Sequence, residues 1–219
     1  MRVFITGVSG VGKTSIGALL ASRLGCRFYD LDVEIERFFK TSIERLRNRF
    51  LTVESFRSEA AKALIHILGH PESRNCVIAL PPSGLMGRYL RVLKKAGGTI
   101  VVLTGKPENI LNRITFYDID SRPILKELKE REKLLYLREI KKDITYYRKS
   151  YDQADFRVDI SGLAPEAAAE LVQESLMTFL SDKQKLADGG GIAGELDRQI
   201  RTSGARAPDG AAPTTSKGE

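Results

Sequence analysis

The sequence predicts an α/β protein of three layers, a five-stranded parallel sheet with helices on both faces. Three observations carry that expectation. The apolar runs at residues 3–6, 76–80 and 99–103 are short and continuous, as strands covered on both faces are. Longer stretches with apolar side chains at helical spacing separate them, the alternation that builds βαβ units. A glycine-rich loop, GVSGVGKT at residues 7–14, joins the first strand to the first helix.

Each element follows from local chemistry. The strand at 3–6 runs straight into the loop. Residues 15–24 form a helix with Ile16, Leu19, Leu20 and Leu24 on one face, stopped by Gly25. A short strand at 27–29 ends in Asp30-Leu31-Asp32. Helices are expected over 33–49 and about 52–68, then the buried strand CVIAL at 76–80, closed by Pro81-Pro82. A helix over 85–95 stops at Gly97-Gly98, the strand at 99–103 follows, and Pro107 opens a helix to about 116, since proline suits a first helical turn. A polar break with Asp118, Asp120 and Arg122-Pro123 precedes a long charged helix to about 151. The last strand is 156–160 and the last core helix 165–180. One domain therefore occupies residues 1–180. From 181 to 219 a glycine triplet and a run rich in Ala, Pro, Ser, Thr and Gly cannot bury a core, so a disordered tail is expected there.

Composition narrows the function. The 219 residues, 42% hydrophobic and 29% charged, describe a soluble globular protein. No apolar run reaches membrane-spanning length, and no basic region with an apolar segment precedes the first strand, so a cytoplasmic protein without a membrane partner is expected. Cys26 and Cys76 lack a nearby Cys or His at ligand spacing and read as free thiols. The net charge is +7, and the six basic and six acidic residues after 180 cancel, so the excess lies on the folded part. Basic residues are dispersed among acids, which fits anionic small molecules better than nucleic acid.

The loop carries the chemistry. Gly7, Gly10 and Gly12 let the backbone turn tightly and aim successive N–H groups inward, and the following helix adds its N-terminal field. Ser9, Gly10, Val11, Gly12, Lys13, Thr14 and Ser15 are thus the expected ATP-binding residues. Lys13 reaches the β- and γ-phosphates, and the Thr14 hydroxyl ligates Mg2+. A plain glycine turn would not need Lys-Thr at these positions. A GTPase or motor ATPase would add an apolar strand ending in Asp, and a GTPase an Asn-Lys-x-Asp base reader. Here the strand at 76–80 ends in proline, and Asp159-Ile160-Ser161-Gly162 comes too late in the chain. The early Asp30-x-Asp32 pair and the Arg-Pro break point instead to a kinase for a small molecule.

With GVSGVGKTSIGALLASRLG, FYDLDVEIE at 28–36, Phe56-Arg57 and Arg122-Pro123-Ile124-Leu125, the sequence resembles the shikimate kinase family over about its first 180 residues. The resemblance implies a P-loop kinase fold with an Arg-Pro lid at about 116–131, and transfer of phosphate from ATP to the 3-hydroxyl of shikimate. It implies that Asp30 helps hold Mg2+ through water, and that Asp32 grips the substrate hydroxyls and accepts the proton. Arg57 would pair with the substrate carboxylate, Arg113 would lie on the adenine side with the loop at Pro165, and Arg122 would close over the phosphates. The partners expected are ATP and a small-molecule acceptor, bound by a monomer.

The departures all lie on the acceptor side. Pro81-Pro82-Ser83 stands where the family has three glycines, leaving Ser83 as the replacement donor. Thr52-Val53 replaces Gly-Glu, and Ala60 replaces a Glu, with Glu59 one place early. Arg148 is the nearest candidate for a second carboxylate-binding arginine, but its spacing to Tyr151 is one residue short. Two other readings stay open: a kinase for another small hydroxylated acid or nucleoside monophosphate, and an ATP-binding regulatory module without acceptor turnover.

Overall fold

The computed structural model describes the backbone of residues 1–203 and the side chains of residues 1–186. Along the chain the elements are β1 (Arg2–Thr6), α1 (Lys13–Arg23), β2 (Arg27–Asp30), α2 (Leu31–Phe39), α3 (Ile43–Arg47), α4 (Val53–Gly69), β3 (Cys76–Ala79), α5 (Gly87–Ala96), β4 (Thr99–Thr104), α6 (Pro107–Leu111), β5 (Phe116–Tyr117), β6 (Pro123–Ile124), α7 (Glu130–Tyr147), β7 (Phe156–Asp159) and α8 (Pro165–Ser203). Residues Met1–Ser175 make one compact unit, and a second begins at Leu176. The first holds every strand. Within the described residues the second is helix.

The expected sheet is present, with strand order β2-β3-β1-β4-β7 and parallel pairing throughout. The β-branched and aromatic run before the loop is the central strand β1, and its Val3, Phe4 and Ile5 are 0% exposed. Ile5 lies opposite both Ala79 of β3 and Val101 of β4, so β1 and β3 finish within a residue of each other while β4 runs on to Thr104. That common C-terminal edge sets the glycine loop beside Pro81, and the Thr6 hydroxyl donates to the Pro81 carbonyl at 3.1 Å. Open α/β sheets bind ligands at this edge. α1 covers the sheet with Ile16, Gly17, Leu20 and Ala21 buried.

Three expected elements differ in detail. The helix expected over 33–49 is two helices, because Lys40 turns left-handed at φ +52 and Ser42 caps the second, accepting from the Arg45 N–H at 3.3 Å. The helix opened by Pro107 stops at Leu111, because Phe116–Tyr117 pair antiparallel with Pro123–Ile124 in a small hairpin. Its turn is held by Asp118, whose side chain accepts from the N–H groups of Asp120 and Arg122. α8 continues past residue 180 to Ser203. Residues 181–188, SDKQKLAD, contain neither proline nor glycine, so nothing there breaks the hydrogen-bond ladder. The rest of the expected disordered tail, 204–219, lies outside the described residues.

Candidate active site

The site grows from the junction of β1 and α1. Gly12 is the N-cap of α1 with φ +111, a conformation that side chains resist, and no side chain caps the helix. The first-turn amides of α1 have no intrahelical acceptor, so Lys13, Thr14 and Ser15 present N–H groups to an anion. Lys13 folds back over the loop, its Nζ donating to the carbonyls of Gly7 at 3.1 Å and Val8 at 3.0 Å. Burial lowers its pKa, while Asp32 and Asp30 act in the opposite direction.

β2 delivers the two acids. Asp30 caps α2, its Oδ1 accepting from the Asp32 N–H at 3.0 Å, while its Oδ2 accepts from the Thr14 hydroxyl at 2.5 Å. A hydroxyl and a carboxylate thus converge beside the phosphate loop, a donor set of hard oxygens that suits Mg2+. Among the described residues no cluster of three or more His, Cys, Asp or Glu could hold a metal by itself. A nucleotide-bound ion with one or two protein ligands fits such a site. Asp32 lies one residue into the same helix turn. Burial, then Asp30 and Glu36, push its carboxyl up to about 6, against the pull of Lys13. It keeps a solvent face in the cleft.

Across from these, α4 places Arg57 in the interior at 7% exposure. Its Nη1 contacts Glu54 Oε2 at 3.4 Å, and its Nε is buried without a partner. Tyr89 of α5 is 1% exposed with its hydroxyl also unpartnered. Burial raises the pKa of that hydroxyl, Asp32 raises it further and Arg57 lowers it, so Tyr89 lies within electrostatic reach of both. Ser83 sits half-buried in the turn after β3, its carbonyl accepting from the Met86 N–H at 3.0 Å.

The remaining predicted residues divide between near and far. Arg113 bridges the loop to the segment before α8, donating to the Val11 carbonyl at 3.3 Å and the Leu163 carbonyl at 2.5 Å. Arg122 is exposed in the hairpin, where its carbonyl accepts from the Asp118 N–H at 2.9 Å. Arg148 is not brought to the cluster. It is exposed at the C-cap of α7, with its carbonyl near Arg157. Its neighbour Tyr147 is half-buried instead, stacked on Tyr151 with ring centroids 5.8 Å apart and planes at 20°. Burial and Asp143 raise the Tyr147 hydroxyl, while Arg57 and Arg47 lower it, so this ring is on the Arg57 side. A cavity of about 280 Å³ lies beside the loop, lined by Val8, Ser9, Phe116, Tyr136, Ile140 and Asp143 among others.

Sequence reasoning did not single out Glu54, Tyr89 or Tyr147. The four-residue spacing of Tyr147 and Tyr151 was a usable signal for a shared helical face; nothing local marked Tyr89.

A glycine nest with a lysine folded over it, a Thr–Asp pair at its rim and a second acid within reach of the lysine define a P-loop phosphotransferase. A sequence model of shikimate kinase matches residues 9–177. The shikimate kinase of Geobacter sulfurreducens is 34% identical over 84% of this chain and 92% of its own length; that of Paramagnetospirillum magneticum is 33% identical over 81% and 85%. Among solved structures, shikimate kinase from Aquifex aeolicus is 28% identical with a TM-score of 0.61, covering 81% of this chain and 96% of its own. Shikimate kinase from Acinetobacter baumannii in complex with shikimate is 27% identical with a TM-score of 0.60, covering 83% and 94%. The chain belongs to the shikimate kinase family, and it is an ATP-dependent kinase that works with magnesium.

Proposed function

We propose that this kinase transfers the γ-phosphoryl group of ATP to the 3-hydroxyl of shikimate. The observation that carries the reading is the meeting of two halves at one sheet edge: Lys13, Thr14 and Asp30 at the phosphate loop, and Asp32 with Arg57 on the acceptor side. The family membership and the likeness to a relative solved with shikimate support the acceptor.

Lys13 and the first-turn amides of α1 hold the β- and γ-phosphates. Thr14 and Asp30 would hold Mg2+, Asp30 through water, and the ion supplies charge neutralisation on the phosphate oxygens. Arg57 receives the substrate carboxylate in fork geometry, and Ser83 supplies a hydroxyl where prolines leave no N–H. As the acceptor oxygen bonds to the γ-phosphorus, the bond from that phosphorus to the β–γ bridging oxygen breaks. The pair leaves with ADP, and the hydroxyl proton passes to the Asp32 carboxylate. Arg113 packs at the adenine, and Arg122 moves onto the phosphates when the lid closes.

We read the catalytic unit as 1–180 with its lid at about 116–131, working as a cytoplasmic monomer. No helix of the described residues is long and apolar enough to cross a membrane. Basic side chains engaged in pairs such as Arg23–Glu170, Arg27–Glu72 and Arg45–Asp120 support the absence of a nucleic-acid partner.

The test is ADP release coupled to a readout, with ATP, Mg2+ and a panel of hydroxylated acids and nucleoside monophosphates. Shikimate-dependent turnover with formation of shikimate 3-phosphate is expected. Turnover of another acceptor alone would overturn the substrate but keep the kinase, and no stimulation by any acceptor would favour a regulatory ATP-binding module.

A further inference from the structure

Arg57 carries a positive charge into the protein interior with incomplete compensation. Its Nε is buried and unpartnered, and the carboxylate in contact with it is Glu54, 3.4 Å from Nη1. Elsewhere on α4, Ala60 is fully buried and uncharged, and Glu59 turns to Lys62 at 2.5 Å. The Glu54 carboxylate also reaches the start of α5: a Cβ on Gly87 would lie 2.5 Å from its Oε1. Gly87 opens that helix at φ +53, and α5 has neither an acidic residue in its first turn nor a side-chain cap. The carboxylate therefore rests between a guanidinium and the amide end of a helix, both of which attract anions.

We propose that Glu54 occupies the place of the acceptor's carboxylate on Arg57, and that a hydroxylated carboxylate acceptor binds by displacing it. The proposal rests on the reading that Arg57 receives that carboxylate. The two partners differ in freedom: the Glu54 side chain is 56% exposed and can swing into water, whereas the Arg57 side chain, 9% exposed, cannot follow. An exposed carboxylate contacting at 3.4 Å is a weak occupant, while an incoming carboxylate can also satisfy the buried Nε. Glu54 thus sets specificity: it keeps Arg57 neutralised until an anion of comparable reach competes, and a neutral polyol gains no entry to the guanidinium.

Shikimate and ATP dissociation constants measured by calorimetry on the full chain, with Glu54→Gln and Arg57→Gln, test this. Glu54→Gln keeps the shape and removes the competing charge, so shikimate binding tightens on the order of three- to fivefold, while the ATP constant, which reports an intact fold, stays put. Unchanged or weaker shikimate binding in Glu54→Gln overturns the proposal. Arg57→Gln separates the underlying reading: at least tenfold weaker shikimate binding with ATP binding retained supports it, and unchanged shikimate binding removes both it and the proposal. If Arg57→Gln does not fold, Glu54→Gln and Glu54→Ala decide alone, since both must tighten shikimate binding.

Discussion

The Thr14 hydroxyl donates to the Asp30 carboxylate at 2.5 Å, tying the first turn of the loop helix to the end of the neighbouring strand β2. One oxygen from each element is thereby held at the rim of the phosphate loop. Thr14→Ala removes one of the two and leaves Asp30 anchored by the Asp32 N–H. We expect the Mg2+ concentration needed for half-maximal rate to rise on the order of tenfold, as loss of a close positioning group does at metal sites, with ATP binding in the absence of metal little changed. A magnesium titration of the rate checks it.

The Lys13 ammonium donates to carbonyls of its own loop, those of Gly7 and Val8. Lys13→Ala is expected to lower kcat by on the order of 10²- to 10³-fold while far-ultraviolet dichroism and the melting temperature stay close to the parent. Near-normal turnover by the folded variant would remove the assigned role.

The carboxyl of Asp32 ionises at about 6, above its ordinary 3.8, first because of burial and then because of Asp30. A proton acceptor must be ionised, so kcat/KM should rise as pH passes about 6 and level off above it. Stability moves the other way. Between 3.8 and 6 the folded chain keeps this proton while the unfolded chain loses it, so the stabilisation is complete below 3.8 and lost as pH rises through about 6. Asp32→Asn should lower kcat by about 10²- to 10⁴-fold, remove the rising limb and leave the melting temperature at pH 8 no lower than the parent's. A rising limb that survives in Asp32→Asn assigns the base to another residue.

Pro81 and Pro82 give no N–H at the sheet edge, although the Pro81 carbonyl is fully used by Thr6 and by Gly84 at 2.8 Å. A missing donor to a charged acceptor costs on the order of 1.5 to 3 kcal/mol, or one to two decades in affinity. Shikimate should therefore bind weakly, and Pro81→Gly with Pro82→Gly should tighten it. Tight binding by the unmodified chain shows that other groups, Ser83 first among them, have made up the loss.

The hairpin tip lies against α2 and α3: Arg45 Nε donates to Asp120 at 2.7 Å, the Ser42 hydroxyl to the Ile119 carbonyl at 2.5 Å, and the Ser121 hydroxyl to Glu36. Arg122 rides on this hairpin with its side chain exposed. Arg122→Ala should reduce kcat on the order of 10²-fold, far more than Arg37→Ala, an exposed arginine on α2. Equal effects of the two substitutions would rule out a role for Arg122 at the phosphates.

What could be read from sequence was what is contiguous along the chain. The loop at 7–14, the pair Asp30-x-Asp32 and the strands 76–80 and 99–103 each carry their signal within a few residues, because backbone conformation and burial act locally there. Arg57 was readable as a motif but not as a buried ion whose partner is Glu54. The helix over 33–49 was read as continuous because its apolar spacing runs on past Lys40, while the break depends on Glu36 accepting from the Ile43 N–H at 2.9 Å. The hairpin of Phe116–Tyr117 with Pro123–Ile124 was hidden for a similar reason, two residues a side being too short for a period to register.

By itself, the sequence determined the parallel sheet, the phosphate loop and the identity of the acids beside it, since tight turns, helix caps and covered strands are dictated by neighbouring residues. The tertiary structure decided what surrounds Arg57. Whether Arg148 or Tyr147 faces Arg57 is a matter of one residue on α7, a rotation of about 100°, and that rotation is set by how the helix packs. Tyr89 lies near Asp32 and Arg57 only because three elements distant in sequence close on one another, and burial that depends on such closure has no local signature.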